Sequence, residues 1–485
     1  MKRREELEIY DKEGPESRIG IRDILRSDKV QAVIGLAIFV GMILVLNQLA
    51  KDVTQAHQYY GLALLFLAIY FWTLTPISYM FTAFLLISSS VLVGILRPEE
   101  AFTGFASSSI FFLIGAFILA STVEKHGLHK RIALRVLRRF GESPDRFLLG
   151  LILITSFLSM MMPGNGVAAL FIPVLLSIFS VYEKKEIDPN FVKSTLLALT
   201  FSTSIGSMGT YLGGARNILA VEIYHSETNQ YISFVEWFIA AIPIVIIMTF
   251  VLYFVLKNLF KVKDVDMQKI RFELREEVDE IGSFSMGEAK ALGFLISAIV
   301  AWVIVGQYIG LAVISVLITV FIAISKTISW DEIVQRLPWG AIFLFGGAVS
   351  LSFILGESGT LEFIATSILK LGAENPLYLL ILFTILTLTL ANLMSSSAAT
   401  GVVLPIALSA MIVLGYSDVL PVFLVAFPSA FAFMLVVGRP SSALVYSTGN
   451  VKQKDFFIAG LILNIIGLIV FLTIGLGWWR FLGYW

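Results

Sequence analysis

Ser159-Met-Met-Met-Pro-Gly-Asn165-Gly-Val-Ala-Ala-Leu-Phe-Ile-Pro173 and Ala391-Asn-Leu-Met394-Ser-Ser-Ser397-Ala-Ala-Thr400-Gly-Val-Val-Leu-Pro405 are two forms of one stretch. In each, a Met (Met162, Met394) leads a Pro (Pro173, Pro405) at the same spacing, with small and polar residues between them. A lipid-facing helix avoids such residues, and the flanking apolar segments read as too short to cross a membrane and return unaided. Paired interruptions in corresponding halves of a chain point to the binding site of a secondary transporter.

Composition supports a membrane setting. The chain of 485 residues is 57% hydrophobic and 14% charged, with a mean hydropathy of +0.87. A soluble domain carries about a quarter charged residues. Runs of about 20 apolar residues recur, each long enough for a hydrocarbon core about 30 Å thick, where backbone polar groups must be satisfied within helices. There is no cysteine, which excludes disulfides, thiol catalysis and Cys metal sites, and the formal net charge is +0, which argues against nucleic acid as a partner.

Working outward from the paired stretch, an offset of 232 residues aligns the halves without a gap over about 75 residues. Glu100 falls on Glu332, Ile110-Phe111 on Ile342-Phe343, Gly115 on Gly347, Gly127 on Gly359, Pro144 on Pro376 and Met162 on Met394. Apolar bias alone would not bring Gly, Glu and Pro into one register. The expected fold is an all-α polytopic membrane protein with two inverted repeats, about 11 transmembrane helices, two re-entrant helical hairpins and two broken helices. Residues 1–29 read as a cytoplasmic tail, with an amphipathic helix around Ile19–Leu25, and 30–97 as the first helices and part of a scaffold. Residues 98–256 form repeat 1, with an inner hairpin at 146–180 and a broken helix at 190–223. A charged cytoplasmic linker covers 257–287; repeat 2 fills 288–485, with an outer hairpin at 376–414, a broken helix at 419–447 and a last helix. Lys125–Phe140 alternates Lys and Arg with Ile, Leu and Val, as a basic helix lying in the membrane interface does. Lys51, Arg97, Lys370 and Arg480 fall on one side of this layout and nearly all other basic residues on the side of the N-terminus, which makes that side cytoplasmic and the location the plasma membrane.

Two basic residues fit no loop end. Arg216 and Arg439 lie inside the broken helices, in Gly209-Thr210-Tyr-Leu-Gly213-Gly214-Ala-Arg216-Asn217 and Val437-Gly438-Arg439-Pro440-Ser441-Ser442. A charge at depth costs at least about 2.5–3.5 kcal/mol and marks function by default. A guanidinium fork matches a carboxylate or oxyanion edge, and the helix that restarts after a break offers its N-terminus to an anion. Unwound carbonyls and the tip hydroxyls and amide (Asn165, Ser395, Ser396, Ser397, Thr400) suit a cation or donate to an oxyanion. Snorkelling arginines, hydroxyls bonded to their own helix and simple packing kinks are the plain alternatives. No Asp or Glu lies at either tip or in either break, so no acidic proton relay is expected in the core, and the four histidines lie in flanks.

These motifs resemble the divalent anion/sodium symporters, which carry dicarboxylates or sulfate. Thr155-Ser-Phe-Leu-Ser159-Met precedes the first tip as in that family, Gly209-Thr210…Gly213…Asn217 follows its first break, and Tyr446-Ser-Thr-Gly449 with Lys454-Asp455-Phe456 and Ala459-Gly460-Leu461 resembles its last break and helix. Glu99-Glu100-Ala101-Phe102…Gly104-Phe105 also fits. The resemblance implies a dimerising scaffold, a mobile transport domain and an elevator motion. The family's Ser-Asn-Thr tips fall here on Pro163-Gly164-Asn165 and Ser395-Ser396-Ser397. Its Thr-Pro-Pro-Asn falls on Gly214-Ala215-Arg216-Asn217 and Arg439-Pro440-Ser441-Ser442.

The reading is a secondary active transporter of small divalent anions, by Na+ symport or by exchange, and not an enzyme. The alternative is a cation/proton antiporter or a metalloid-oxyanion efflux permease of the same superfamily. Substrate-binding candidates are Gly164, Asn165, Arg216, Ser396, Ser397, Thr400, Arg439 and Ser442. Cation-binding candidates are Ser159, Gly164, Thr210, Gly213, Asn217, Ser395 and Gly438. No cofactor is expected; Na+ is the candidate coupling ion. The partners are the substrate anion, the bilayer and a second copy of the chain.

Overall fold

In the computed structural model, residues 28–74, 78–182, 187–263, 265–370, 376–415 and 419–484 are described. The expected helix around Ile19–Leu25 lies outside them. The described residues are helical and loop, with no strand.

Local signals set the helix starts. Ser143 caps Pro144–Met161 by accepting from the Arg146 amide, with Pro at the first position. Ser233 with Glu236, Ser285 with Glu288 and Ser329 with Glu332 form capping boxes, which satisfy amides the helix itself cannot. The paired stretch becomes two helix–turn–helix units. The first joins Pro144–Met161 to Gly164–Ser180, and the second joins Pro376–Leu393 to Ser396–Val413. At each link the residue before the restart is extended, Pro163 with ψ 135° and Ser395 with ψ 147°.

The arms are longer than the sequence suggested. Nine helices among the described residues are long and apolar enough to cross a membrane, and three of the four hairpin arms are among them. The expectation of arms too short to span is therefore corrected. Tyr79–Leu92, Gly164–Ser180, Leu311–Ile324 and Val419–Ala430 are shorter apolar helices.

Element bounds recur at the offset found in the sequence. Tyr79–Leu92 corresponds to Leu311–Ile324, and Pro144–Met161 to Pro376–Leu393. Contacts recur as well. A Cβ at Gly115 would lie 2.9 Å from the Ser315 carbonyl oxygen, and one at Gly347 would lie 2.6 Å from the Ala83 Cβ. Those are the same pair of positions with the halves exchanged: Ser108–Lys125 packs on Leu311–Ile324, and Trp339–Glu357 on Tyr79–Leu92. Without side chains at the contact, the helix backbones can close on each other. Gly115→Val and Gly347→Val are each expected to destabilise the protein by about 1–3 kcal/mol or more. Gly293→Val, where a side chain meets open space, serves as the control in a thermal unfolding assay. Equal melting temperatures for all three would reject this packing.

The charged linker holds a helix the sequence reading left out, Met267–Glu280, which buries Met267, Ile270 and Leu274. It lies against Leu128–Phe140 and Gly164–Ser180. The basic helix Leu128–Phe140 therefore has its apolar face covered by protein, from the linker helix and from Pro144–Met161. Its Arg131 is buried, with Nη2 donating to Glu288 Oε2 and to the Ser283 carbonyl, both at 2.9 Å.

Candidate functional site

The first broken helix runs as Pro189–Gly206, a turn, the short 3-10 segment Tyr211–Gly213, and the restart Ala215–Thr228. Three glycines let it wrap the end of the first hairpin arm. Gly206 lies on the Ser156 carbonyl and Gly209 on Met160, while a Cβ at Gly213 would lie 2.7 Å from the Ser159 carbonyl oxygen. The Trp237 indole donates to the Met208 carbonyl at 2.9 Å and pins the turn. The second broken helix is interrupted over a longer stretch, between Val419–Ala426 and the restart Pro440–Ser447. There Asn392 holds the loose chain, accepting from the Met434 amide at 2.8 Å and donating to the Leu388 carbonyl at 2.8 Å. A Cβ at Gly438 would lie 2.9 Å from the Ala391 carbonyl oxygen. Ala391 is the counterpart of Ser159 at the same offset, so each break rests on the end of its own hairpin arm.

The restarts cross over. Ala215–Thr228 packs on Ser396–Val413, and Pro440–Ser447 on Gly164–Ser180. Neither restart has a side-chain cap, and neither does Gly164–Ser180 at Pro163. Pro440 has no amide hydrogen, and the Asn217 and Gly166 amides already bond to the Gly214 and Pro163 carbonyls, so the uncapped amides that can meet an anion are those of Ala215, Arg216, Gly164 and Asn165.

Both arginines are buried here, Arg216 at 4% exposure and Arg439 at 9%. Arg216 Nη2 donates to the Ser207 hydroxyl at 2.7 Å, and Arg439 Nη1 to the Ala430 carbonyl at 2.7 Å. Among the described residues no carboxylate bonds to either. Arg216 Nε is buried without a partner. Two buried like charges with unused donors call for an anion.

Beside Arg216 lies a group of oxygens. Asn217 Nδ2 donates to the Ser207 and Thr210 carbonyls, both at 2.7 Å, which leaves Oδ1 unpaired; Ser159 Oγ is also buried and unpaired. Unpaired buried oxygens are rare and ask for a donor or a cation. The Ser159 carbonyl lies against Gly213, so these are the oxygens that could hold a cation. The second half differs. Ser395 Oγ accepts from the Ala398 amide at 3.2 Å, Asn392 is fully used, and Arg439 occupies the Ala430 carbonyl.

The remaining candidates divide. Gly164 is buried against Thr203, and Thr210 donates to the Met160 carbonyl. Thr400 donates to the Ser396 carbonyl at 2.9 Å and the Ser429 hydroxyl at 3.1 Å, and Ser442 meets Thr200 at 2.9 Å. Ser396 and Ser397 are half-buried at the second tip. Asn165 is exposed and bonds to neither arginine; it lines a cleft of about 620 Å³ with Glu124, Arg336 and Pro440. Sequence reasoning missed the run Thr200-Phe-Ser-Thr-Ser-Ile-Gly-Ser207, whose hydroxyls link hairpin, breaks and arginine. Thr155 meets Ser202 at 2.5 Å, Thr200 meets Ser441 and Ser442, and Ser207 holds Arg216. It also missed Glu222, buried on the first restart and bonded by the Ser109 hydroxyl. The signals were a cluster of hydroxyls and one lone Glu in apolar sequence.

Comparison with known proteins identifies the family. A family model described as the sodium:sulfate symporter transmembrane region matches residues 27–485. A sodium-dependent dicarboxylate transporter SdcS of Staphylococcus saprophyticus is 28% identical over 406 residues, covering 78% of each chain. An uncharacterized transporter of Haemophilus influenzae is 28% identical over 437 residues, covering 86% of this chain and 91% of its own. The crystal structure of the YdaH transporter of Alcanivorax borkumensis shares the fold with a TM-score of 0.54 at 12% identity, over 79% of this chain and 87% of its own.

Proposed function

The chain belongs to the sodium:sulfate symporter transmembrane family, and we propose that it moves small divalent anions, dicarboxylate or sulfate, across the plasma membrane by secondary active transport. The observation that carries this is the pair of buried arginines without a carboxylate partner, set at restarts whose amides are uncapped. The anion bridges Arg216 and Arg439, with the half-buried Ser396 and Ser397 closing the site from the second tip. One Na+ binds at Ser159, Gly213 and Asn217. The guanidinium of Arg439 stands where a second cation would lie, so the protein couples fewer ions than a two-sodium symporter or works as an exchanger.

The repeated bounds and exchanged glycine contacts support two inverted repeats. The first hairpin then faces the cytoplasm, the second faces outward, and the 620 Å³ cleft beside Asn165 is the inner approach to the site. The hairpins and broken helices move together against a dimeric scaffold. Since the chain has no cysteine, the hairpin sidedness can be read directly. Asn165→Cys is expected to react with an impermeant maleimide only from the cytoplasmic side, and Ser397→Cys only from outside. Labelling of both from one side would overturn the inverted arrangement.

The transport reading itself is tested by uptake of labelled sulfate and succinate into proteoliposomes, with and without an inward Na+ gradient. Accumulation of either anion above the equilibrium level, or its exchange against internal anion, is the expected result. Failure of both anions under all gradients would remove this function and leave a metalloid oxyanion as the next substrate to try.

A further inference from the structure

The basic helix Leu128–Phe140 stands between two helices long and apolar enough to cross a membrane, Ser108–Lys125 and Pro144–Met161. It leaves the first through a left-handed turn at Gly127 (φ 72°) and passes into the second after Ser143. One span ends where it begins and the next begins where it ends, so the helix lies at the membrane boundary. Its apolar side is taken by protein, and what stays open is a stripe of three arginines. Arg135, Arg138 and Arg139 are exposed, and spacings of three and four residues put them on one face. Arg131, a turn earlier on the same stripe, is buried and engaged by Glu288. We propose that Arg135, Arg138 and Arg139, together with Arg271, bind the phosphate headgroups of anionic lipids in the adjoining leaflet. This goes beyond the transport reading and does not rest on it.

Arg271 belongs to the linker helix Met267–Glu280 and reaches the end of the stripe, where a Cβ at Gly141 would lie 3.2 Å from its Cγ. The carboxylates nearby are engaged elsewhere. Glu142 pairs with Arg146, Asp145 with Lys257 at 2.5 Å and Glu277 with Lys130 at 2.9 Å, and Glu273 accepts from the Ser177 hydroxyl. Glu124, Glu276 and Glu280 are exposed to solvent. Among the described residues, none of the four guanidiniums has a carboxylate partner.

A guanidinium fork meets two phosphate oxygens at once, which an ammonium cannot do. A soluble phosphate would find the same forks, but the setting favours a lipid. Ile132 and Val136, half-buried, run beside Arg135 and Arg139 on the free side of the helix. An acyl chain can lie along that apolar pair while its phosphate meets the guanidiniums, and the long arginine stems span the step between the two layers. Each basic residue at an anionic membrane surface contributes about fivefold to binding, so three together give about 100-fold over a neutral lipid.

Native mass spectrometry of the purified protein, titrated in detergent with phosphatidylglycerol or with phosphatidylcholine of the same chains, reads the site without any transport substrate. The wild type is expected to retain phosphatidylglycerol in preference. The Arg135→Gln/Arg138→Gln/Arg139→Gln triple variant is expected to lose about 100-fold in that affinity, and the matching triple Lys variant, which keeps the charge, to hold most of it. In phosphatidylcholine nanodiscs the wild type and the Gln variant should melt at the same temperature, because the three side chains are exposed. Adding phosphatidylglycerol should then raise the wild type alone. If the triple variant does not fold, Arg138→Gln takes its place, with a loss of about fivefold. Equal retention of the two lipids by the wild type, or undiminished retention by the Gln variant, would overturn the proposal. Displacement of phosphatidylglycerol by inorganic phosphate at the same concentration would overturn it too, and assign the arginines to a soluble anion.

Discussion

Arg216→Gln is expected to lower anion counterflow by about 30-fold or more while leaving the melting temperature unchanged or raised. Removing a buried charge that meets a bound anion costs about 2–5 kcal/mol, and each 1.4 kcal/mol is about a factor of ten. Folding has the opposite interest. Arg216 has one hydroxyl partner and an unpaired Nε in a buried site. Its charge therefore burdens the protein whenever no anion is bound, and the neutral glutamine relieves that burden while keeping a donor. A merely structural arginine makes the reverse prediction, lower stability with transport intact. Measuring counterflow and unfolding on the same preparation separates the two. The contrast should sharpen with substrate present: sulfate or succinate should raise the wild-type melting temperature and leave that of the variant nearly unmoved.

Much of the fold was legible because backbone demands write themselves into residue types. Gly115 and Gly347 stand where helices touch, Pro144 and Pro376 where hairpin arms begin, and Met162 and Met394 where they turn. Such positions keep their register through a repeat, which is why one offset carried the element bounds. The arginines were legible for a related reason, since a charge inside an apolar run has few explanations. By that rule Glu222, between Val221 and Ile223, is equally visible in the sequence.

The rest depended on which way side chains face. Thr203, Ser204 and Ser207 donate to carbonyls of their own helix, the ordinary behaviour of hydroxyls in a membrane helix. Nothing in the run distinguishes them from Ser202, which meets Thr155 across the helix pair. Asn165 illustrates the converse. Its place at the first tip resembles that of Ser396–Ser397 at the second, but one is exposed on a cleft and the others are half-buried. The linker helix Met267–Glu280 escaped notice because its charges suggest a solvated loop; the three apolar residues that seat it are spread among them.

Asn217→Ala is expected to raise the Na+ concentration needed for half-maximal uptake by about tenfold or more, and Arg439→Ser to make the dependence on Na+ steeper. The first effect follows from the unpaired Asn217 Oδ1 beside Ser159 Oγ. Losing one interaction with a charged group removes about 1.5–3 kcal/mol, and alanine also frees the Ser207 and Thr210 carbonyls that Nδ2 now holds. Ser159→Ala should act in the same direction with a smaller loss, since its carbonyl remains. The second effect follows from the asymmetry between the halves. In the first, oxygens are left over; in the second, the Ala430 carbonyl already has the Arg439 guanidinium and Asn392 has no atom to spare. A fixed positive charge there does the electrostatic work of a cation without being carried. Serine removes the charge and opens the carbonyl, so a second Na+ gains both a place and a reason to bind. Wild-type uptake should then rise with Na+ along a slope near one, and Arg439→Ser along a slope approaching two, at lower overall rate. A wild-type slope near two would mean that the guanidinium displaces no ion. Uptake indifferent to Na+ in the wild type and in Asn217→Ala alike would assign the unpaired oxygens to the anion site and make the protein an exchanger.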